Sequence, residues 1–238
     1  MILRSLICSS LAAIALCATL CAASLSGNIA LRDSHADAVT KQKDYSGVVV
    51  SAVPVNVESA PTVHHSMMLQ KNKTFTPHVL PVATGTTVDF PNSDPIFHNA
   101  FSSYSGQIFD VGLYPPGATR SVRFSRPGVV RVFCNIHPAM SAIILVLNTP
   151  YFATTAKDGS WEMNLPPGDY DVKVFHERAT EQTLAGLSLR IVVGDQPVRL
   201  PTIAVSEAGY LLAPHKNKYG HDYDSSPDDQ TLYPAVRR

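Results

Sequence analysis

The sequence predicts an all-β protein built as two successive sandwiches, and three observations carry that prediction. Apolar residues recur in short runs with a period of two, not with helical spacing. β-Branched and aromatic residues crowd those runs. The 18 prolines are scattered along 238 residues, with turn-forming glycines between the runs, and this leaves little room for long helices.

Taken in order, the chain opens on "MILRSLICSSLAAIALCATLCAAS", one basic residue (Arg4) followed by an apolar run that closes on small residues. That layout is a secretory leader, and it predicts export to the periplasm. Ala36-Asp37-Ala38 offers an A-x-A cut, which sets the leader at residues 1–38, while Ala22-Ala23-Ser24 is an earlier candidate. An uncleaved anchor is the competing reading, because the apolar run approaches the ~20 residues of a membrane helix. No later stretch is long and apolar enough to span a membrane, so the mature chain is expected to have no membrane span.

The first domain is expected over residues 45–148. "YSGVVVSAVPV" reads as an edge or opening strand that ends at a proline. "HVLPVATGTTVDFPN" holds two short apolar stretches around Gly85, with Thr86, Val88 and Phe90 alternating against Thr87 and Asp89. "SVRFSRPGVVRVFC" turns at Pro127-Gly128 and places Val130, Val132 and Cys134 on one face. "SAIILVL" is apolar on both faces and suits the centre of a sandwich. A smaller β-sandwich is expected over residues 149–206, from "KDGSWEMNLPPGDYDVKVFHE" and "LSLRIVVGDQPVRLPTIAV". Residues 207–238 are polar and aperiodic, and read as a disordered or loosely docked tail.

Lys and Arg balance Asp and Glu at 19 each, and removing residues 1–38 takes two from either side. With no basic excess, nucleic acid is not an expected partner. Neither a nucleophile elbow nor a phosphate-cradling glycine loop appears, so the chain is not read as an enzyme.

Three of the four cysteines (Cys8, Cys17 and Cys21) lie in the leader, which leaves Cys134 without an intramolecular disulfide partner in an oxidising compartment. The segment "VFCNIHPAM" places Cys134, His137 and Met140 three residues apart. Thiolate, imidazole and thioether together select copper over magnesium, calcium or manganese. His98, in "FPNSDPIFHNAFSS", can arrive from a neighbouring strand as a second imidazole. Two histidines and a cysteine in a plane, with a weak axial methionine, make a blue-copper electron-transfer site.

These residues resemble a known family. "PVATGTTVDFPNSDPIFHNAFSS" followed by "GVVRVFCNIHPAM" is similar to the cupredoxins of the plastocyanin, amicyanin and pseudoazurin kind. His98-Asn99 matches the family's His-Asn pair, and Cys134, His137 and Met140 match its Cys-x-x-His-then-Met cluster, with the short amicyanin-type loop. The resemblance covers about Phe75 to Leu147. It implies a Greek-key sandwich, one copper ion in a type 1 site and one-electron transfer with redox partner proteins of unknown identity. It also implies that Asn99 braces the ligands, where the bland reading is a loop asparagine capping a turn; Pro138 is placed beside it. The whole chain resembles secreted cupredoxin-like proteins labelled methylamine-utilisation proteins. These carry a second, carboxypeptidase-regulatory-like (transthyretin-like) β domain, whose D-G-x-aromatic…L-P-P-G-x-Y pattern is matched by "DGSWEMNLPPGDY".

A weaker second metal site is conceivable from His64, His65, Met67, Met68 and His78, for which a surface loop entering a strand is the favoured reading. The competing function is copper storage or delivery in the periplasm. A multicopper or nitrite-reductase type of enzyme is disfavoured because the neighbours of Cys134 are Phe133 and Asn135, not histidines that lead to a second copper centre.

Overall fold

In a computed structural model of the chain, residues 22–55, 64–103, 106–211 and 215–223 are described. The first strands are β1 (Ala23–Arg32) and β2 (Val49–Pro54), separated by the one-turn helix α1 (Asp37–Thr40). Ten strands follow: β3 (His65–Met67), β4 (Leu69–Lys71), β5 (Thr74–Thr76), β6 (Val79–Ala83), β7 (Thr87–Pro91), β8 (Phe101–Ser102), β9 (Phe109–Asp110), β10 (Thr119–Arg123), β11 (Gly128–Phe133) and β12 (Ser141–Leu147). The chain then runs through β13 (Phe152–Thr154), β14 (Ser160–Leu165), β15 (Gly168–Phe175), α2 (Glu181–Ala185), β16 (Leu189–Val193), β17 (Val198–Arg199) and β18 (Ile203–Ser206). The all-β class expected from the period-two runs is what the chain adopts. Neither described helix is long and apolar enough to cross a membrane.

Pairing divides these strands into two sandwiches, each with its own core. The inner one is continuous in sequence: β10-β7-β3 faces β6-β12-β11-β8-β9, with β4-β5 as a hairpin. Its core holds Phe90, Phe124, Val130, Val132 and Ile144, together with Cys134 and Met140. The outer one is assembled from both ends of the described chain. β1 sits between β14 and β17 and also pairs with β18, while β2 lies between β13 and β15. Leu25, Ile29, Val50, Trp161, Leu165, Val172 and Val205 fill that second core.

Two expected boundaries are therefore corrected. Residues 45–54 do not open the first sandwich: Val49–Pro54 pairs along its length with β15, antiparallel, from Val49↔Phe175 to Pro54↔Tyr170. The inner sandwich is an insertion between β2 and β13. A leader ending at residue 38 is also incompatible with this fold, because β1 alternates buried and half-buried residues and buries Leu25 and Ile29 in the outer core. A cut at Ala36-Asp37-Ala38 would remove that strand, whereas the earlier Ala22-Ala23-Ser24 candidate would spare most of it. The apolar run that suggests a leader lies in residues 1–21, outside the described residues.

Of the two readings of the tail, docked rather than disordered fits the residues described. Glu207 is buried and bonded to His176 Nε2 and Arg178 Nη2, both at 2.9 Å, and to Ser34 Oγ at 2.7 Å. Residues 215–223 lie against the loop between β11 and β12. Residues 212–214 and those beyond 223 lie outside the described residues.

Candidate metal centre

β11 and β12 are antiparallel neighbours, with Phe133 opposite Ser141, and the loop 134–140 closes the hairpin. The loop is fixed internally by Cys134 N–H to Met140 O at 3.2 Å and Met140 N–H to His137 O at 3.0 Å. The first bond holds the two ends together; the second is a tight turn that brings His137 back over Cys134. The apolar alternation of β11 carries Cys134 inward, so the thiol enters the core instead of solvent.

His98 comes from a different segment, 36 residues upstream. It is held by a two-way bridge to Tyr114, His98 N–H to Tyr114 O at 3.2 Å and Tyr114 N–H to His98 O at 2.9 Å. Its Nε2 lies 2.7 Å from Asp94 Oδ2. A carboxylate can only accept, so Nε2 carries the proton and Nδ1 presents its lone pair. That Nδ1 is 3.9 Å from Cys134 Sγ, and His137 Nδ1 is 3.5 Å from the same sulfur. The two imidazole rings meet edge-on, with centroids 4.8 Å apart. The ligating atoms of His98, Cys134 and His137 all lie within 4.8 Å of one another. His98, Cys134 and Met140 are 0 % exposed and His137 is 7 % exposed.

The electrostatics suit ligands kept neutral until a cation arrives. Burial pushes the His137 pKa down to about 4, and the nearby His98 adds to that. Burial also lowers His98, against the pull of Asp94. Both are therefore neutral imidazoles near pH 7, with lone pairs available. Burial raises the Cys134 thiol, opposed by the backbone N–H groups of Ile136, Asn99 and His137. A thiolate in this site needs a positive partner, and a thiophilic metal ion supplies one.

Asn99 bonds in two directions. Its Nδ2 donates to Asp110 Oδ1 at 2.7 Å, and its Oδ1 accepts from Asn135 N–H at 3.3 Å, tying the His98 segment to the Cys134 loop. Pro138 is exposed at the loop tip, and its carbonyl is a hydrogen-bond acceptor. Two supporting residues escape a sequence reading. Asp94 receives the backbone N–H groups of Asn72 at 2.6 Å and Lys73 at 2.8 Å as well as the His98 imidazole. The second is Tyr223, whose hydroxyl donates to the Cys134 carbonyl at 2.8 Å. The "DPIFH" spacing was the available signal for Asp94; nothing in the tail pointed to Tyr223.

The second set of soft ligands is taken up by other partners at several positions. His65 Nδ1 lies 3.2 Å from Asp89 Oδ2, and Met68 is fully buried in the inner core while Met67 is exposed. His78 pairs at 2.7 Å with Glu177 of the outer sandwich, and His64 is exposed at the start of β3. Among the described residues, His98, Cys134 and His137 form the one group of three His, Cys, Asp or Glu side chains whose ligating atoms converge.

No family model matches the chain, and no curated protein matches it in sequence. Solved structures similar to it include a purple cupredoxin from Nitrosopumilus maritimus, at 22% identity over 34% of this chain and 99% of that one, with a TM-score of 0.32. An amicyanin variant in its oxidised state is similar at 19% identity, over 34% of this chain and 80% of that one, with a TM-score of 0.33. A Cu-containing nitrite reductase from Thermus scotoductus SA-01 shares 27% identity over 40% of this chain and 25% of the reductase, with a TM-score of 0.33. The structural neighbours are thus cupredoxins and a copper enzyme, matched over a minor part of the chain.

Proposed function

We propose that the chain is an exported type 1 copper protein that transfers single electrons between partner proteins and is not itself an enzyme. The observation that carries this reading is the convergence of His98 Nδ1, Cys134 Sγ and His137 Nδ1 in a buried site, with Met140 buried in the same core cluster. Two imidazoles, one thiolate and a thioether are the donor set that copper prefers and that magnesium, calcium or manganese do not. Bound copper would supply a one-electron couple between Cu(I) and Cu(II). The chain's part is to hold the ligands still. His98 is locked by Asp94 and Tyr114, Cys134 and Met140 by their mutual backbone bond, and the two loops by Asn99. Such a frame leaves little to rearrange when an electron arrives. The outer sandwich is proposed to be of the carboxypeptidase-regulatory-like kind, a body that carries the copper unit.

The test is the visible and electron-spin-resonance spectrum of the protein loaded with Cu(II). An intense blue or purple thiolate-to-copper band is expected, lost in Cys134→Ser. Met140→Leu should keep the band and raise the reduction potential, as removal of a weak axial ligand does. A colourless protein that holds only Cu(I) and yields it readily to a chelator would instead make it a storage or delivery protein.

A further inference from the structure

The segment 215–223 leaves the outer sandwich beyond Glu207 and crosses the face of the ligand loop. His215 stacks on Phe133, the residue before Cys134, with ring centroids 4.0 Å apart and planes 25° from parallel. Its Nε2 donates to the Pro138 carbonyl at 2.8 Å. Lys218 N–H donates to Asn135 Oδ1 at 3.0 Å, and Lys218 Nζ pairs with Asp110 Oδ2 at 2.8 Å, the same carboxylate that Asn99 uses. The Tyr223 hydroxyl donates to the Cys134 carbonyl at 2.8 Å and lies 3.2 Å from His215 Nδ1.

The loop's own bonds satisfy the carbonyls of His137 and Met140. The carbonyls of Cys134 and Pro138 are satisfied by Tyr223 and His215. The strap therefore supplies donors to two carbonyls of the loop that carries Cys134, His137 and Met140, one of them at the cysteine itself.

Building on the copper reading, we propose that His215 and Tyr223 are positioning residues of the metal centre: together they hold the 134–140 loop shut over Cys134. The ligand loop is then clamped from both sides, by Asn99 from within the inner sandwich and by the strap from outside. Opening the loop, which both metal release and attack on the sulfur require, means breaking the strap's bonds as well.

The rate at which iodoacetamide alkylates Cys134 in the metal-free full chain, read by mass spectrometry on the peptide bearing that residue, measures loop opening directly. Cys134 is 0 % exposed, so reaction requires opening. Tyr223→Phe keeps the ring and removes one hydroxyl; His215→Phe keeps the stacking on Phe133 and removes both ring nitrogens. The double variant should react roughly tenfold faster or more, the yield expected from losing two net hydrogen bonds, and Tyr223→Phe alone several-fold faster. Tyr219→Phe, on the strap but 69 % exposed, should match the parent. With copper bound, Tyr223→Phe should shift the thiolate-to-copper band and speed copper loss to a chelator while the melting temperature stays at the parent's value. Equal alkylation rates in parent and double variant would overturn the proposal. A parent that binds no copper would sink the copper reading while the alkylation comparison still decides the strap.

Discussion

The imidazole of His98 is oriented from behind by Asp94, and Asp94 is in turn held by two consecutive backbone N–H groups. Asn72 and Lys73 both adopt left-handed backbone, with φ of 54° and 55°, and their N–H groups point together at the carboxylate as an anion cradle. Asp94→Ala removes the acceptor that fixes the His98 tautomer and leaves the cradle empty. Copper affinity should fall about 10- to 100-fold, the usual loss when a ligand's supporting carboxylate is removed, as measured by competition with a chromophoric chelator. An unchanged affinity would mean that the Tyr114 bridge alone orients the imidazole. The residues proposed as ligands were legible in the sequence because a hairpin loop fixes Cys134, His137 and Met140 at short spacing, and because their residue types are chemically distinctive. Asp94 was not, since its partner turn lies about twenty residues away and an aspartate before a proline looks like any turn residue.

β1 shows the corresponding problem for an element. "ASLSGNIALR" alternates cleanly, with Ala23, Leu25, Gly27, Ile29 and Leu31 on one face, and the structure buries that face. Its period-two signal was readable, but the apolar run just before it draws the whole stretch into a leader. Glycine at position 27 has a packing reason: it lies opposite Trp161 in the β1–β14 ladder, and a Cβ there would come within 2.7 Å of the indole Cζ2. Trp161 is 4 % exposed, so the ring has nowhere to swing. Gly27→Ala should destabilise the outer sandwich by about 1–3 kcal/mol, the ordinary cost of overpacking. Because Trp161 is the protein's single tryptophan, urea unfolding followed by its fluorescence reads that sandwich specifically.

At the scale of the whole molecule, the inner sandwich is inserted into the outer one, and the chain returns to it through the strap. This arrangement was not legible, because it depends on which distant strands pair. β2 looks the same in sequence whether it pairs with β15 or opens the inner sandwich, and only long-range register decides. The strap's departure point is the buried hub of Glu207, His176, Arg178 and Ser34, which ties β18 to the end of β15 and to the segment after β1.

That hub makes the fold acid-labile in two stages. Burial alone would raise Glu207, but hydrogen bonds from Arg178, Ser34 and His176 outweigh it and hold the carboxyl at about 2, below its usual 4.5. A depressed carboxyl stabilises the fold fully above its unfolded value, and that stabilisation is lost as the pH falls from 4.5 towards 2. His176 is also depressed, by burial first and despite Glu207, so the folded protein keeps it neutral. Its contribution begins to fade earlier, as the pH drops below the ordinary imidazole value of 6.5. His78 runs the other way: its bond to Glu177 raises it, so that pair between the sandwiches is firmest below 6.5 and weakens as the pH climbs. The melting temperature should therefore decline from pH 6.5 downwards and steepen below 4.5. Glu207→Gln should lower it near neutrality by an amount equivalent to about 1–3 kcal/mol, the range for unpairing a buried polar group, and flatten the decline below pH 4.5. If the parent and Glu207→Gln melting curves keep a constant separation from pH 7 to pH 3, the carboxylate is not the group whose protonation loosens the hub, and the acid response must come from His176 and the other depressed groups.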